Sequence, residues 1–487
     1  MSPLLLFSFV IAYFVLLLVV AYRTSRGSDN ESFFIGNRNS NWMLVAFGMI
    51  GTSLSGITFV SVPGAVAKDS FSYFQITLGY FLGYILIAFV LLPLYYRIHL
   101  TSIYNFLNDR LGISAYKTGA AFFILSRVLG ATARLYLVVN ILQGAILSGF
   151  HIPFWLTTLT ILLMILLYTY EGGVKTIVWT DTLQTTCMLG GMVICVFFIL
   201  QHLNLGLPGA LEAMQVKGYS KIFFTDPQSK MFFGKQIVAG MFITLTMTGM
   251  DQEMMQKSIS VKTLKDSQKN MVTLGFIMLV VIFLFLFLGG LLYLFAASEN
   301  LSVTGDHLFP ELALHHMPPF ISVIFIIALI SALFPSSDGA ITALTASFCI
   351  DILGINRNAH LDEASRKKIR QRVHLCFIGI FLIFVLIYKW ISSDSMIGII
   401  LKVAAYTYGP LLGLFSFSIL TRRSLRDSWV PWICILSPVL CFFLDKYQEH
   451  IFGNFKIGLE LLLINGIFTF LGLYLISKKS KSPIPGR

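Results

Sequence analysis

Residues 48–64 read GMIGTSLSGITFVSVPG. The stretch is apolar at both ends and interrupted in the middle by Thr52, Ser53, Ser55 and Gly56. Hydroxylated side chains compete for nearby backbone groups, and glycine adds the entropy cost of a free backbone, so a helix breaks most readily there. The pattern predicts two half-helices joined by non-helical backbone. A second stretch of the same character, GMFITLTMTGMDQ at 240–252, sets Thr246, Thr248 and Gly249 inside another apolar run. Small residues also let helices pack closely, but two interruptions at matching places point to unwound backbone that lines a shared cavity.

The chain around these breaks reads as membrane-embedded. Of its 487 residues, 56% are hydrophobic and 12% charged, against about 25% charged in a soluble domain. A bilayer core about 30 Å thick takes roughly 20 apolar residues per helix, and about thirteen such stretches can be placed. They are 3–22, 42–66, 71–95, 118–149, 153–170, 177–202, 236–256, 269–297, 318–350, 372–391, 395–421, 429–445 and 455–477. The first has no basic leader and is followed by Arg23 and Arg26 instead of a small-residue cleavage site, so it reads as an uncleaved helix.

Basic loops set the expected orientation. Arg357, Arg366, Lys367, Lys368, Arg370 and Arg372 fall in one loop, and Arg422, Arg423 and Arg426 in another. Lys257, Lys262, Lys265, Lys269 and the tail Lys478, Lys479 and Lys481 group with them, whereas 297–318 has no Lys or Arg. The expectation is an N-terminus outside and a C-terminus in the cytoplasm of the cell (inner) membrane. The net charge of +12 is then explained by topology and anionic headgroups, without nucleic acid. Six cysteines without CxxC spacing imply neither a structural metal nor a disulfide framework.

No soluble domain is visible, so a single membrane domain over 1–487 is expected. Each break opens a candidate five-helix unit, 42–202 and 236–421, with an extra helix at 3–22 and two more at 429–477. An odd helix number per unit makes the second enter from the opposite side, which defines an inverted repeat.

Charged groups inside spans are costly and therefore informative. Asp181, Asp251, Asp338, Arg127 and Arg134 all fall within them. Buried ion pairs of Asp181 or Asp338 with Arg127 or Arg134 are one reading. Hard-cation binding is the other, because SALFPSSDGAITALTASFCID at 331–351 sets Ser336, Ser337, Asp338 and Gly339 in sequence on one helix, a cluster of oxygen ligands.

That stretch resembles the eighth core helix of the sodium:solute symporter family, and GGVKTIVWTDTLQ at 172–184 resembles the family's fifth. The resemblance covers nearly the whole chain and implies an all-α, LeuT-type fold with a 5+5 inverted repeat and sodium-coupled symport of a small organic solute. It implies a main sodium site from the carbonyls of Gly51 and Leu54 with Ala332 and Ser336. Where the family has a second hydroxyl, this chain has Pro335, which either removes that ligand or shifts the register to Leu333, Ser336 and Ser337. Members with a second sodium site imply roles for Asp181, Ser336, Asp338 and Gly339, so one or two ions are expected.

Substrate-facing candidates are Ser53, Ser55 and Thr58 at the first break, Thr248 and Asp251 at the second, Tyr73, Gln75 and Thr77 between them, and Arg134. Sialic-acid members resemble the chain at Ser53, Ser55 and Thr58 and use a third-helix Arg, the position of Arg134 or Arg127. Arg suits a carboxylate through its planar fork of donors. The acidic and Lys pair of galactose-carrying members is missing from 71–95 and 272–297. A sodium-coupled sugar or amino-acid symporter is the alternative within the class; an ion channel or a solute sensor lies outside it. An enzyme is not expected, since no HExxH, GxSxG or P-loop occurs. Expected partners are the solute, sodium and the bilayer.

Overall fold

In lipid a backbone must satisfy its own polar groups, so apolar runs fold as helices. The computed structural model describes residues 3–25, 40–98, 102–355, 357, 360–391 and 396–479. The chain begins with α1 (Pro3–Ser25); α2 (Trp42–Ser53) and α3 (Gly56–Gly64) then meet at a 56° bend. Next come α4 (Tyr73–Leu86), α5 (Ile113–Leu142) and α6 (Phe154–His202). The second interruption separates α7 (Phe233–Met247) from α8 (Gln252–Ile259), and α9 (Leu264–Ser298), α10 (Pro319–Ser347) and α11 (Glu363–Tyr388) follow. A second bent pair, α12 (Met396–Thr407) and α13 (Gly409–Leu420), meets at 43°, before α14 (Val430–Phe452) and α15 (Leu461–Leu475).

Among the described residues, eight helical stretches are long and apolar enough to cross a bilayer. The two bent pairs pass as units, and Phe154–Leu167, Phe233–Met247 and Leu461–Leu475 are shorter apolar helices. The stretches expected at 153–170 and 177–202 are present as Phe154–Leu167 and Ile177–His202, and the backbone is helical without interruption from Phe154 to His202. Gly172 and Gly173 each cost about 1 kcal/mol relative to Ala but remove no N–H, so the helix continues through them where a proline would end it.

Burial ranks the helices. The apolar window of α10 and its continuation is 78% buried, whereas that of α14 is 22% buried; the first is core and the second faces lipid. Close approach is greatest where α4 crosses α7. A Cβ on Gly79 would stand 2.8 Å from the Met241 nitrogen and 2.9 Å from the Gly240 Cα. Backbone atoms cannot rotate away, so Gly79→Val must separate the helices. The expected cost is about 3 kcal/mol of stability, read as a lower unfolding midpoint in detergent.

At the far end of the chain, Arg423–Leu425 pairs antiparallel with Ser477–Lys479. That pairing sets two of the expected cytoplasmic basic segments side by side. Two cations assigned to the same loops are buried instead, Lys257 at 2% and Arg370 at 4% exposure.

Candidate functional site

The first break is the centre of the site. Leu54 (φ −93°, ψ 94°) and Ser55 (φ −84°, ψ 174°) are extended. The last bond of α2 runs from the Leu54 N–H to the Ile50 carbonyl at 2.7 Å, and the first of α3 from the Phe59 N–H to the Ser55 carbonyl at 3.1 Å. The carbonyls of Gly51 to Leu54 and the N–H groups of Ser55 to Thr58 are therefore released from the helical ladder.

At the second break the released carbonyls are already capped: the Tyr95 hydroxyl donates to Gly249 at 2.9 Å and that of Tyr104 to Met250 at 2.8 Å. Asp251 is the cap of α8, its Oδ1 accepting from the Met254 N–H at 3.2 Å. The two breaks are thus unequal: tyrosine hydroxyls cap two carbonyls of the second, whereas the first carries a run of released carbonyls from Gly51 to Leu54.

A cavity of about 800 Å³, its open mouth included, lies against the first break. Its walls carry Thr52, Ser53, Ser55, Thr58, Thr244, Thr248, Tyr73, Tyr80, Tyr84 and both arginines, with Ile, Leu and Met filling the rest and no acidic residue among the described ones. The Tyr73 and Tyr80 hydroxyls share a hydrogen bond of 3.2 Å. Phe71 and Phe74 turn instead to Phe283, at 6.1 and 5.8 Å between centroids.

The arginines, seven residues apart on one face of α5, are in different states. Arg127 is bound by Glu253 and stands 3.7 Å from Asp251. Arg134 faces the cavity and has no carboxylate within ion-pair distance among the described residues. Asp181 pairs with Lys257 at 2.8 Å, and Lys257 also reaches Glu253 at 3.1 Å. The ion pairing expected with an arginine is therefore made by a lysine.

Across the first break lies α10. A Cβ on Gly51 would come within 3.4 Å of the Pro335 ring and collide with the Thr185 hydroxyl, so α2 packs on α10 and α6 through this glycine. Pro335 has no N–H, which leaves the Ser331 carbonyl without its helical donor. The Ser336 hydroxyl donates to the Leu333 carbonyl at 2.9 Å, and the buried Ser337 hydroxyl has no partner among the described residues. Asp338 is fully buried, its Oδ1 accepting from the Gly339 N–H at 2.5 Å.

A profile of the sodium:solute symporter family matches residues 33–427. The chain is a member of the sodium:solute symporter family. Its relatives include the sodium-dependent multivitamin transporter of Oryctolagus cuniculus, 27% identical over half of this chain, which spans 38% of that protein's length. The sodium/sialic acid symporter SiaT of Proteus mirabilis (strain HI4320) is 23% identical over 86% of this chain and 85% of its own. A solved structure of a Na+-coupled sialic acid symporter, substrate-bound and outward-open, superposes with a TM-score of 0.82 at 17% identity, covering 98% of this chain and 99% of the other. The fold is that of the LeuT-type transporters.

In this family member, the cavity brings together Ser53, Ser55, Thr58, Tyr73, Arg134 and Thr248 of the expected substrate residues. It does not include Gln75, Thr77 or Asp251. Gln75 clamps a loop, donating to the Met231 carbonyl at 3.1 Å and accepting from the Phe224 N–H at 3.1 Å. Thr77 bonds its own helix at the Tyr73 carbonyl. Glu253 and Lys257 were missed because Lys257 leads directly into a basic run at 262–269; the signal was the spacing of four residues immediately after a broken helix.

Proposed function

We propose that this chain is a sodium-coupled symporter that imports a small hydroxylated solute bearing a carboxylate, by alternating access between the repeats 42–202 and 236–421. The observation that carries the solute class is Arg134, a cation with no carboxylate within ion-pair distance among the described residues, in a cavity walled by hydroxyls. A neutral sugar leaves that guanidinium unpaired. An amino acid needs an anion for its ammonium, and none of the described wall residues supplies one. A sialic acid has one carboxylate and several hydroxyls, and SiaT is named for that substrate.

Sodium is held between the released carbonyls of Gly51 and Leu54 on one side and Ala332, Ser336 and Ser337 on the other. The Ser331 carbonyl freed by Pro335 supplies an oxygen in place of the hydroxyl that proline displaces. Oxygen donors of this kind suit a hard cation, and such an ion braces the broken helix against α10. The N-terminus lies outside and the C-terminus in the cytoplasm of the cell (inner) membrane, consistent with the paired basic segments at Arg423 and Lys479.

One charge moving inward through 100 mV contributes about 2.3 kcal/mol, which supports roughly fifty-fold accumulation per ion. Ser336→Ala is expected to raise the sodium concentration for half-maximal uptake about ten-fold, a loss of about 1.4 kcal/mol. The test of the whole reading is uptake of N-acetylneuraminic acid into proteoliposomes under inward sodium or potassium gradients. Uptake above equilibrium with sodium alone supports it; equal uptake under both gradients contradicts it.

A further inference from the structure

Lys257 is the point at which three elements of the site meet. Its Nζ donates to Thr52 Oγ1 at 2.6 Å, Asp181 Oδ2 at 2.8 Å and Glu253 Oε1 at 3.1 Å. An ammonium has three donors, and all three are taken, by oxygens from α2, α6 and α8. Thr52 lies two residues before Leu54, where the break begins, and Asp181 packs on the same helix through Gly48, whose Cβ position is 3.3 Å from the Asp181 Cβ. The lysine head thus occupies the position that a small cation bound to Asp181 would take beside the broken helix.

A further observation bears on what this does to ion binding. Asp181 Oδ1 and the Thr185 hydroxyl, one turn further along α6, are buried without hydrogen-bond partners among the described residues, so two oxygens beside the lysine head remain to receive a small cation.

We propose that Lys257 is a tethered cation at the Asp181 position, so that this chain binds one sodium ion, and that removing the lysine charge opens a second sodium position at Asp181, Thr52 and Thr185. This inference rests on the sodium-coupled reading above.

The test is equilibrium binding of radioactive sodium to the purified full chain, without solute. Wild type is expected to bind one ion, Lys257→Gln two, and the charge-balanced Asp181→Asn/Lys257→Gln variant one. Two ions on wild type, or one on a folded Lys257→Gln, overturns the inference while leaving sodium coupling intact. If Lys257→Gln does not fold, one ion on both wild type and the double variant supports the proposal, and any other count on either overturns it. No saturable sodium binding by wild type overturns the coupling itself, and this inference with it.

Discussion

Replacing Arg134 with alanine raises the concentration of N-acetylneuraminic acid needed for half-maximal uptake by about 30- to 1,000-fold. The range follows from the loss of one partner of a buried, charge-assisted contact, about 2 to 4 kcal/mol, with each 1.4 kcal/mol worth a factor of ten. The size of the effect depends on Arg134 having no competing carboxylate within ion-pair distance among the described residues. Arg134→Lys recovers part of the loss, because an ammonium keeps the charge but not the two parallel donors of the fork. Arg127→Ala behaves differently. It takes the guanidinium away from Asp251 and leaves Glu253 with Lys257 as its remaining cation, so its first effect is lower protein yield and unfolding midpoint. An Arg134→Ala variant with unchanged affinity rules out a carboxylate contact there.

The second large effect concerns the pair inside the helices. Asp181→Asn leaves Lys257 buried with Glu253 as its remaining carboxylate. Breaking one side of such a pair costs about 3 to 5 kcal/mol, because the other charge stays buried. Removing both charges with Asp181→Asn/Lys257→Gln recovers most of that loss, since two amides of similar size can hydrogen-bond to each other. Unfolding in detergent, measured for the wild type, the two single variants and the double variant, forms a cycle whose coupling energy reads the interaction directly. Additive losses in that cycle would mean that the two residues act independently.

The membrane class and the first break were legible because they are written in local pattern. An apolar run has a length fixed by the bilayer, and the hydroxyls and glycine at 52–56 mark where the helix fails. The second break was legible for the same reason, but not its character: the carbonyls of Gly249 and Met250 are capped by Tyr95 and Tyr104, about 150 residues earlier in the chain. Gln75 shows the converse, a buried amide that suggests a ligand contact in sequence and holds a distant loop in space. Lys257 was hidden by composition, because a lysine followed closely by other lysines reads as loop charge until its carboxylate partners are placed around it. Which of two arginines on one helix face is free to meet a solute is likewise a property of tertiary packing: Glu253 decides it by taking Arg127.

Coupling between ion and solute is the central claim, and it is reciprocal by thermodynamic necessity. The most direct measurement is the calorimetric affinity of the purified chain for N-acetylneuraminic acid in sodium and in potassium, with the sodium affinity measured in the presence and absence of that acid. The expected result is binding at least ten-fold tighter in sodium, together with an equal factor for sodium when the acid is present. Equal affinity in both salts would contradict sodium-coupled symport of this solute.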